Sequence, residues 1–354
     1  MKKIELPNYI TGEYAVGTEC FTITDNARSE VLGPGTGPRK IAVRMYYPTN
    51  KSNVAGLERA DILSERKANA LAKAYYMKIK DTSLFKGDYY EHVPHAENQK
   101  FPLIIFNHGY NAYIECNTFL CCQLASTGYI VASVGHAYEA VINEYDDGSY
   151  DLYDKKINKK MYDNMFKTLR DQKKLMKEQG SPEELFEKFD FFQKEHMAYI
   201  LGRLPQWAED TLQVVNALKT KYADWINFSN GIGATGHSLG GATAYYLCHH
   251  SDDFVCGINI DGGVFGEYDG MIMKKPFLQI CCKENYNVVT RALMASEAPV
   301  QCEIFEDMKH LGFTDAKFYI PFKSLAGKMP PLEMHERLST LHLEFFEKYL
   351  KTAN

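Results

Sequence analysis

Ile232-Gly233-Ala234-Thr235-Gly236-His237-Ser238-Leu239-Gly240-Gly241-Ala242-Thr243 is the stretch whose reading decides the fold. A short apolar run leads into a serine flanked by glycines, and helical spacing begins directly after it. The pattern Gly236-x-Ser238-x-Gly240 predicts a sharp strand-to-helix turn that projects the serine hydroxyl from a sheet edge. A serine hydroxyl attacks carbonyls well only when it is exposed beside a base, so the turn makes Ser238 a candidate nucleophile. The competing reading is a glycine-rich turn with an incidental serine.

Further apolar runs lie on both sides of this stretch: Leu103 to Phe106, Ile130 to Val134, Val255 to Ile260, Phe277 to Cys282 and Val300 to Phe305. Bounded by turn residues, they read as buried parallel strands. Helical spacing between them, as in Trp207, Thr211, Leu212, Val215 and Leu218, predicts an α/β fold with a mostly parallel, doubly wound sheet. Upstream, Phe21 and Ile23 and then Ile41, Val43 and Met45 alternate around the turn Gly33 to Pro38, which suits antiparallel strands at one edge. A closing helix is expected from Glu333, with Leu338, Leu341, Phe345, Phe346 and Tyr349 on one face.

Two segments interrupt the alternation. Leu57 to Lys80 is Ala/Lys-rich and suits a helix. Asn143 to Pro205 reads as a helical insertion, where Ser181-Pro182-Glu183-Glu184 makes a capping box and Met161, Met165, Leu169 and Met176 share a face. Such an insertion is either a cap over the site or a solvated helical surface. The 354 residues, 45% of them hydrophobic, suit one domain spanning 1–354 with 143–205 inserted in it.

With 40 Lys+Arg against 45 Asp+Glu, the net charge of −5 offers no basic stripe for a phosphate backbone, so nucleic acid is not an expected partner. Met1-Lys2-Lys3 is followed by Glu, Pro and Asn rather than an apolar stretch, and no apolar run reaches membrane-spanning length. Nine cysteines, including the pairs Cys121-Cys122 and Cys281-Cys282 inside apolar runs, suit buried thiols in a reducing, cytoplasmic setting.

The base must come from eleven histidines. In sheets of this kind the order is nucleophile, acid, histidine. His249 and His250 fall where the nucleophile helix ends, and His335 and His342 fall in the closing helix. His310 remains, in the loop after the last strand. Asp261, at the carboxyl end of the strand after Ser238, is the candidate acid, with Glu284 after the next strand as its rival. Asn107-His108-Gly109-Tyr110-Asn111 reads either as the loop that supplies an oxyanion donor, at Tyr110 with Leu239 as the second, or as a tight turn with a satisfied histidine.

Together these residues resemble the platelet-activating-factor acetylhydrolase family, calcium-independent lipases of the α/β-hydrolase fold. The likeness runs from Tyr14-Ala15-Val16-Gly17-Thr18 through Phe106-Asn107-His108-Gly109-Tyr110, the Ser238 stretch and Ile260-Asp261-Gly262-Gly263 to His310-Leu311-Gly312-Phe313-Thr314-Asp315. It implies a Ser238-His310-Asp261 triad, oxyanion donors at Tyr110 and Leu239, and hydrolysis of small-molecule or lipid-like esters. It favours Asp261 over Glu284. No metal or organic cofactor is implied, since His92-Val93-Pro94-His95 has no companion cysteines at finger spacing and no HExxH occurs. Leu239 stands where animal members carry phenylalanine, and Gly262-Gly263 replaces a bulkier pair, so the family's phospholipid preference transfers less readily than its chemistry. Amide, thioester or polyester substrates, acyl transfer to an alcohol, and a non-catalytic ligand-binding role are the alternatives.

Overall fold

The computed structural model of the chain describes residues 9–34, 37–75, 86–97, 99–156, 158–159, 163–268, 271–289, 296–318 and 323–351. Eleven strands are present among them: β1 (Ala15–Ser29), β2 (Pro38–Thr49), β3 (Tyr90–Glu91), β4 (Phe101–Asn107), β5 (Ile130–Val134), β6 (Ile142–Glu144), β7 (Tyr150–Leu152), β8 (Ile226–His237), β9 (Phe254–Ile260), β10 (Phe277–Cys282) and β11 (Val300–Phe305). Nine of them form one sheet in the order β11-β10-β9-β8-β4-β5-β2-β1-β3. The block from β11 to β5 is parallel throughout, while β2 runs antiparallel to β5 and β1. The apolar runs of the sequence therefore become adjacent parallel strands, as continuous hydrophobicity predicts for a sheet covered on both faces.

Period-two alternation divides each strand between two cores. Ile104, Phe106, Ile258, Ile260 and Ile280 face one side with α2 (Thr118–Ser126) and the closing helix Pro331–Phe346. Leu103, Ile105, Ala234, Phe277 and Cys281 face the other, against Val214, Val215, Leu218, Tyr245 and Leu247. Those five lie on two helices, Ala198–Lys221 and Leu239–His250, that cross the opposite face. Within the Leu57 to Lys80 segment, Glu65–Ala74 is the helix α1; residues 76–80 lie outside those described.

The Asn143 to Pro205 segment differs from the all-helical expectation. It opens on a ribbon, in which β6 pairs antiparallel with β7. Gly148 takes φ 79° in the connecting turn, and Asp147 Oδ1 accepts the Ser149 N–H at 3.0 Å, the Asp/Gly chemistry of a tight turn. Helices α3 (Met165–Leu175) and α4 (Pro182–His196) follow. The capping box is present: Ser181 Oγ accepts the Glu184 N–H at 3.3 Å, and Glu184 Oε2 accepts the Ser181 N–H at 2.9 Å. Met165 and Leu169 face solvent, and burial falls on Leu175 instead; Met161 lies outside the described residues. The next helix, α5 (Ala198–Lys221), continues through Pro205, so the segment's end shares a helix with the chain that follows.

Helix α5 carries a buried ionic network. Asp210, fully buried, accepts from Arg39 Nε and Nη2 at 2.6 and 2.7 Å, from Arg28 Nη2 at 2.7 Å and from His136 Nδ1 at 2.9 Å. Burial alone would raise the Asp210 carboxyl, but the Arg39 guanidinium outweighs it and holds the group well below the usual carboxylate range. Because the folded state depresses this group, the stability it contributes is present above the unfolded value, about 3.9, and is lost as pH falls through the folded one. Removing one partner from such a network leaves a buried charge unpaired, at a cost of about 3–5 kcal/mol. Asp210→Asn is therefore expected to lower the urea unfolding free energy by about that amount at pH 7, with the difference narrowing below about pH 4; equal midpoints at pH 7 would show the network to be dispensable.

Candidate active site

The carboxyl ends of the six parallel strands lie along one edge. Asn107 is in register with Gly236, and His237 with Ile260, so the segments that leave β4, β8 and β9 emerge side by side. This is where α/β sheets hold ligands. Ser238 sits between β8 and α6 (Leu239–His250) with φ 57° and ψ −120°. Glycines permit the turn: a Cβ on Gly240 would lie 2.0 Å from the Asn107 carbonyl oxygen, and one on Gly241 would lie 1.9 Å from Asn259 Oδ1.

Ser238 Oγ lies 2.9 Å from His310 Nε2, and His310 Nδ1 lies 2.6 Å from Asp261 Oδ2. The carboxylate can only accept, so Nδ1 carries the proton and Nε2 is left to take one from the hydroxyl. Asp261 is buried, with φ 55°, and His310 is partly open to solvent. Nothing in the residue pattern marks the groups that orient Asp261. The Cys282 N–H donates to Asp261 Oδ1 at 2.7 Å, and Asn285 Nδ2 donates to Oδ2 at 2.8 Å. Both lie at or just beyond the carboxyl end of β10, the strand after Asp261.

The rival acid lies elsewhere. Glu284 is exposed and paired with Lys309.

His108 is fully buried, with Nδ1 2.7 Å from the Gly109 carbonyl oxygen and Nε2 accepting the His136 N–H at 3.3 Å. Burial, with His136 nearby, pushes it down to about 3, so it is neutral. It is both a satisfied histidine and part of the loop beside the serine: a Cβ on Gly109 would stand 3.2 Å from Ser238 Cβ. Tyr110 follows Gly109 in this loop, and the Leu239 amide opens α6, where first-turn N–H groups have no helical acceptor. His237, also buried, has its Nε2 3.0 Å from the His310 carbonyl oxygen, and burial followed by the neighbouring His310 drives it well below the ordinary histidine value.

Tyr110, Ser238, Leu239, Asp261 and His310 share a cavity of about 160 Å³. Gln172, Phe192, Met197 and Ile200 supply one wall, and Gly263, Phe265 and Asn285 lie on the rest. A hydroxyl hydrogen-bonded to an imidazole in a largely apolar cavity is an arrangement that can attack a carbonyl.

Residues 1–296 match the family described as Platelet-activating factor acetylhydrolase, isoform II. The chain belongs to this family. Its platelet-activating factor acetylhydrolase relative in Gallus gallus is 22% identical over 273 residues, 71% of this chain and 63% of that protein. The match thus spans less than two thirds of the relative's length. A ferulic acid esterase structure from Streptomyces cinnamoneus superposes with a TM-score of 0.74 at 21% identity, covering 97% of this chain and 92% of that one. This acetylhydrolase-family chain has the α/β-hydrolase fold. Among its described residues no helix is long and apolar enough to cross a membrane.

His310 lies beyond the matched residues, so its place beside Ser238 rests on geometry. Phosphonylation of Ser238 by a fluorophosphonate is expected to slow by up to about four orders of magnitude in Asp261→Asn, the cost of a wrong histidine tautomer, and to be unchanged in Glu284→Gln. Intact-protein mass spectrometry over time separates the two, and the opposite ranking would make Glu284 the acid.

Proposed function

We propose that this family member is a serine carboxylic-ester hydrolase that works through a Ser238-His310-Asp261 triad. The observation that carries the reading is the unbroken chain of contacts from Ser238 Oγ through the imidazole to Asp261, 2.9 and 2.6 Å long. His310 takes the Ser238 proton as Oγ attacks the ester carbonyl, and Asp261 stabilises the imidazolium. The tetrahedral oxyanion rests on the amides of Tyr110 and Leu239. The imidazolium then protonates the departing alcohol, leaving an acyl-serine that water, activated by His310, hydrolyses.

The cavity supports short acyl groups. At about 160 Å³ it is smaller than the roughly 300–1,000 Å³ of drug-sized ligand sites, and Phe192, Met197, Ile200 and Phe265 give it apolar walls. A lipid-like ester with a short acyl chain fits this description, in keeping with the name of the avian relative. We read 143–205 as a cap within a single domain, because four of the cavity's lining residues come from it. A cytoplasmic setting is supported by nine free thiols, seven of them buried, which suit a reducing compartment.

Ser238→Ala is expected to abolish turnover of p-nitrophenyl acetate and butyrate, and wild-type kcat/KM is expected to fall steeply toward long acyl chains. Turnover by the alanine variant at a comparable rate would remove Ser238 as nucleophile. A preference for anilide over ester substrates would replace the ester reading.

A further inference from the structure

We infer that Asn158 is a positioning residue for the oxyanion donor at Tyr110, acting through the Tyr110 hydroxyl and tying that donor to the wall of the acyl cavity. The inference rests on the reading of Ser238 as nucleophile and of the Tyr110 amide as an oxyanion donor. It concerns a side chain that touches neither substrate nor triad.

Asn158 is fully buried, and its amide is used to capacity. Its Oδ1 accepts from the Tyr110 hydroxyl and, at 3.0 Å, from the Tyr199 hydroxyl. Its Nδ2 donates to the Tyr138 carbonyl at 3.0 Å and to the Asp154 carbonyl at 2.9 Å. Two acceptor sites and two donor hydrogens are the whole inventory of an amide side chain, so Asn158 has one orientation that satisfies it. That orientation fixes the end of the Tyr110 ring. Tyr153 meets the same ring edge-on at 5.7 Å.

The other end of Tyr110 is its backbone, next to the nucleophile. Gly109 lies against Ser238 Cβ, and the following Asn111, with φ 58°, donates its N–H to the Glu139 carbonyl at 2.8 Å. The Glu139 carboxylate is itself fixed by Arg203, through two contacts of 2.8 Å, and by Trp207 at 2.9 Å. With Asn111 anchored, turning the Tyr110 amide away from the serine would swing the Tyr110 side chain. The bond to Asn158 resists that swing. An oxyanion donor contributes most when it is aimed before the charge develops.

The partner hydroxyl gives the arrangement its second function. Tyr199 lies in the first turn of α5, between Met197 and Ile200, which line the cavity. One amide thus holds the donor and the cavity wall together, so displacing the wall would loosen the donor.

The decisive variant is Tyr110→Phe, which removes one hydroxyl and leaves the backbone donor intact; Asn158→Ala removes the hub. For p-nitrophenyl butyrate, Tyr110→Phe is expected to lower kcat about three- to tenfold, the range of one hydrogen bond, with KM changed less than about twofold. Affinity for an alkyl trifluoromethyl ketone, which adds to the serine as an anionic hemiketal, should fall by the same factor as kcat. A melting temperature that drops while kcat and ketone affinity stay at wild-type values would make the bond purely structural and overturn the inference. Wild-type protein that neither hydrolyses the ester nor reacts with a fluorophosphonate would sink the ester-hydrolase reading and this inference with it; active wild type with an unchanged Tyr110→Phe sinks the inference alone.

Discussion

The site depends on two residues held where non-glycine backbones rarely go. Ser238 and Asp261 both have positive φ, 57° and 55°, a conformation that costs roughly 1–3 kcal/mol each and persists only where the surroundings over-determine it. Here each turn constrains the other. The Ser238 N–H donates to the Ile260 carbonyl at 2.9 Å, directly before Asp261, and a Cβ on Gly262 would lie 2.1 Å from the Ser238 carbonyl oxygen. Asn259 closes the second turn by accepting the Gly262 N–H at 2.8 Å and donating to the Gly262 carbonyl at 2.9 Å. Its Oδ1 also blocks any side chain at Gly241, on the helix after the serine. Ser238 and Asp261 are therefore set by one packed unit of backbone and glycines, joined by the Ser238–Ile260 bond.

The buried ionic network plays the same part for the loop that carries Gly109 and Tyr110. Asp210 binds His136, whose backbone N–H is accepted by His108, and His108 in turn contacts the Gly109 carbonyl. Burying this many charges carries a desolvation penalty that an apolar core would not. What the arrangement provides is direction: every link has a fixed geometry and ends on the loop beside Ser238. The stacking of His136 on Trp207, with ring centroids 3.7 Å apart, extends the network to the helix that also carries Arg203 and Tyr199.

The parallel sheet was legible because its central strands are buried on both faces and so appear as largely apolar runs; β5 and β10 begin and end where those runs do, as does the partly buried edge strand β11. Ser238 was legible through its glycines, and His310 by elimination along the chain. The ribbon of β6 and β7 was not, because its strands are three residues each and carry too few positions for alternation to register. Asn285 and Cys282 were invisible for a different reason. A donor to a carboxylate can be any amide, backbone included, and nothing in residue identity marks it before the strands are placed. The stripe of Met165 and Leu169 has helical spacing, but spacing reveals a face and says nothing of what covers it.

His310 is the member of the site with the least help from strand geometry, since a loop separates it from β11. Its position is secured from the far side of the sheet edge. Asn117 Nδ2 donates to the Phe313 carbonyl at 2.8 Å, the Asp315 N–H donates to the Cys116 carbonyl at 2.8 Å, and Asp315 Oδ2 accepts the Phe119 N–H at 3.2 Å in the first turn of α2. Asp315 thus holds the loop and supplies an acceptor at a helix N-terminus in one step. It lies just beyond the histidine in His310-Leu311-Gly312-Phe313-Thr314-Asp315, which explains why that run reads as a unit. The residues after the base are there to fasten the loop to the helix that follows β4, the same strand whose end carries Tyr110. His310 and the Tyr110 loop are consequently referenced to one strand-helix connection, and a shift of α2 would move both against Ser238.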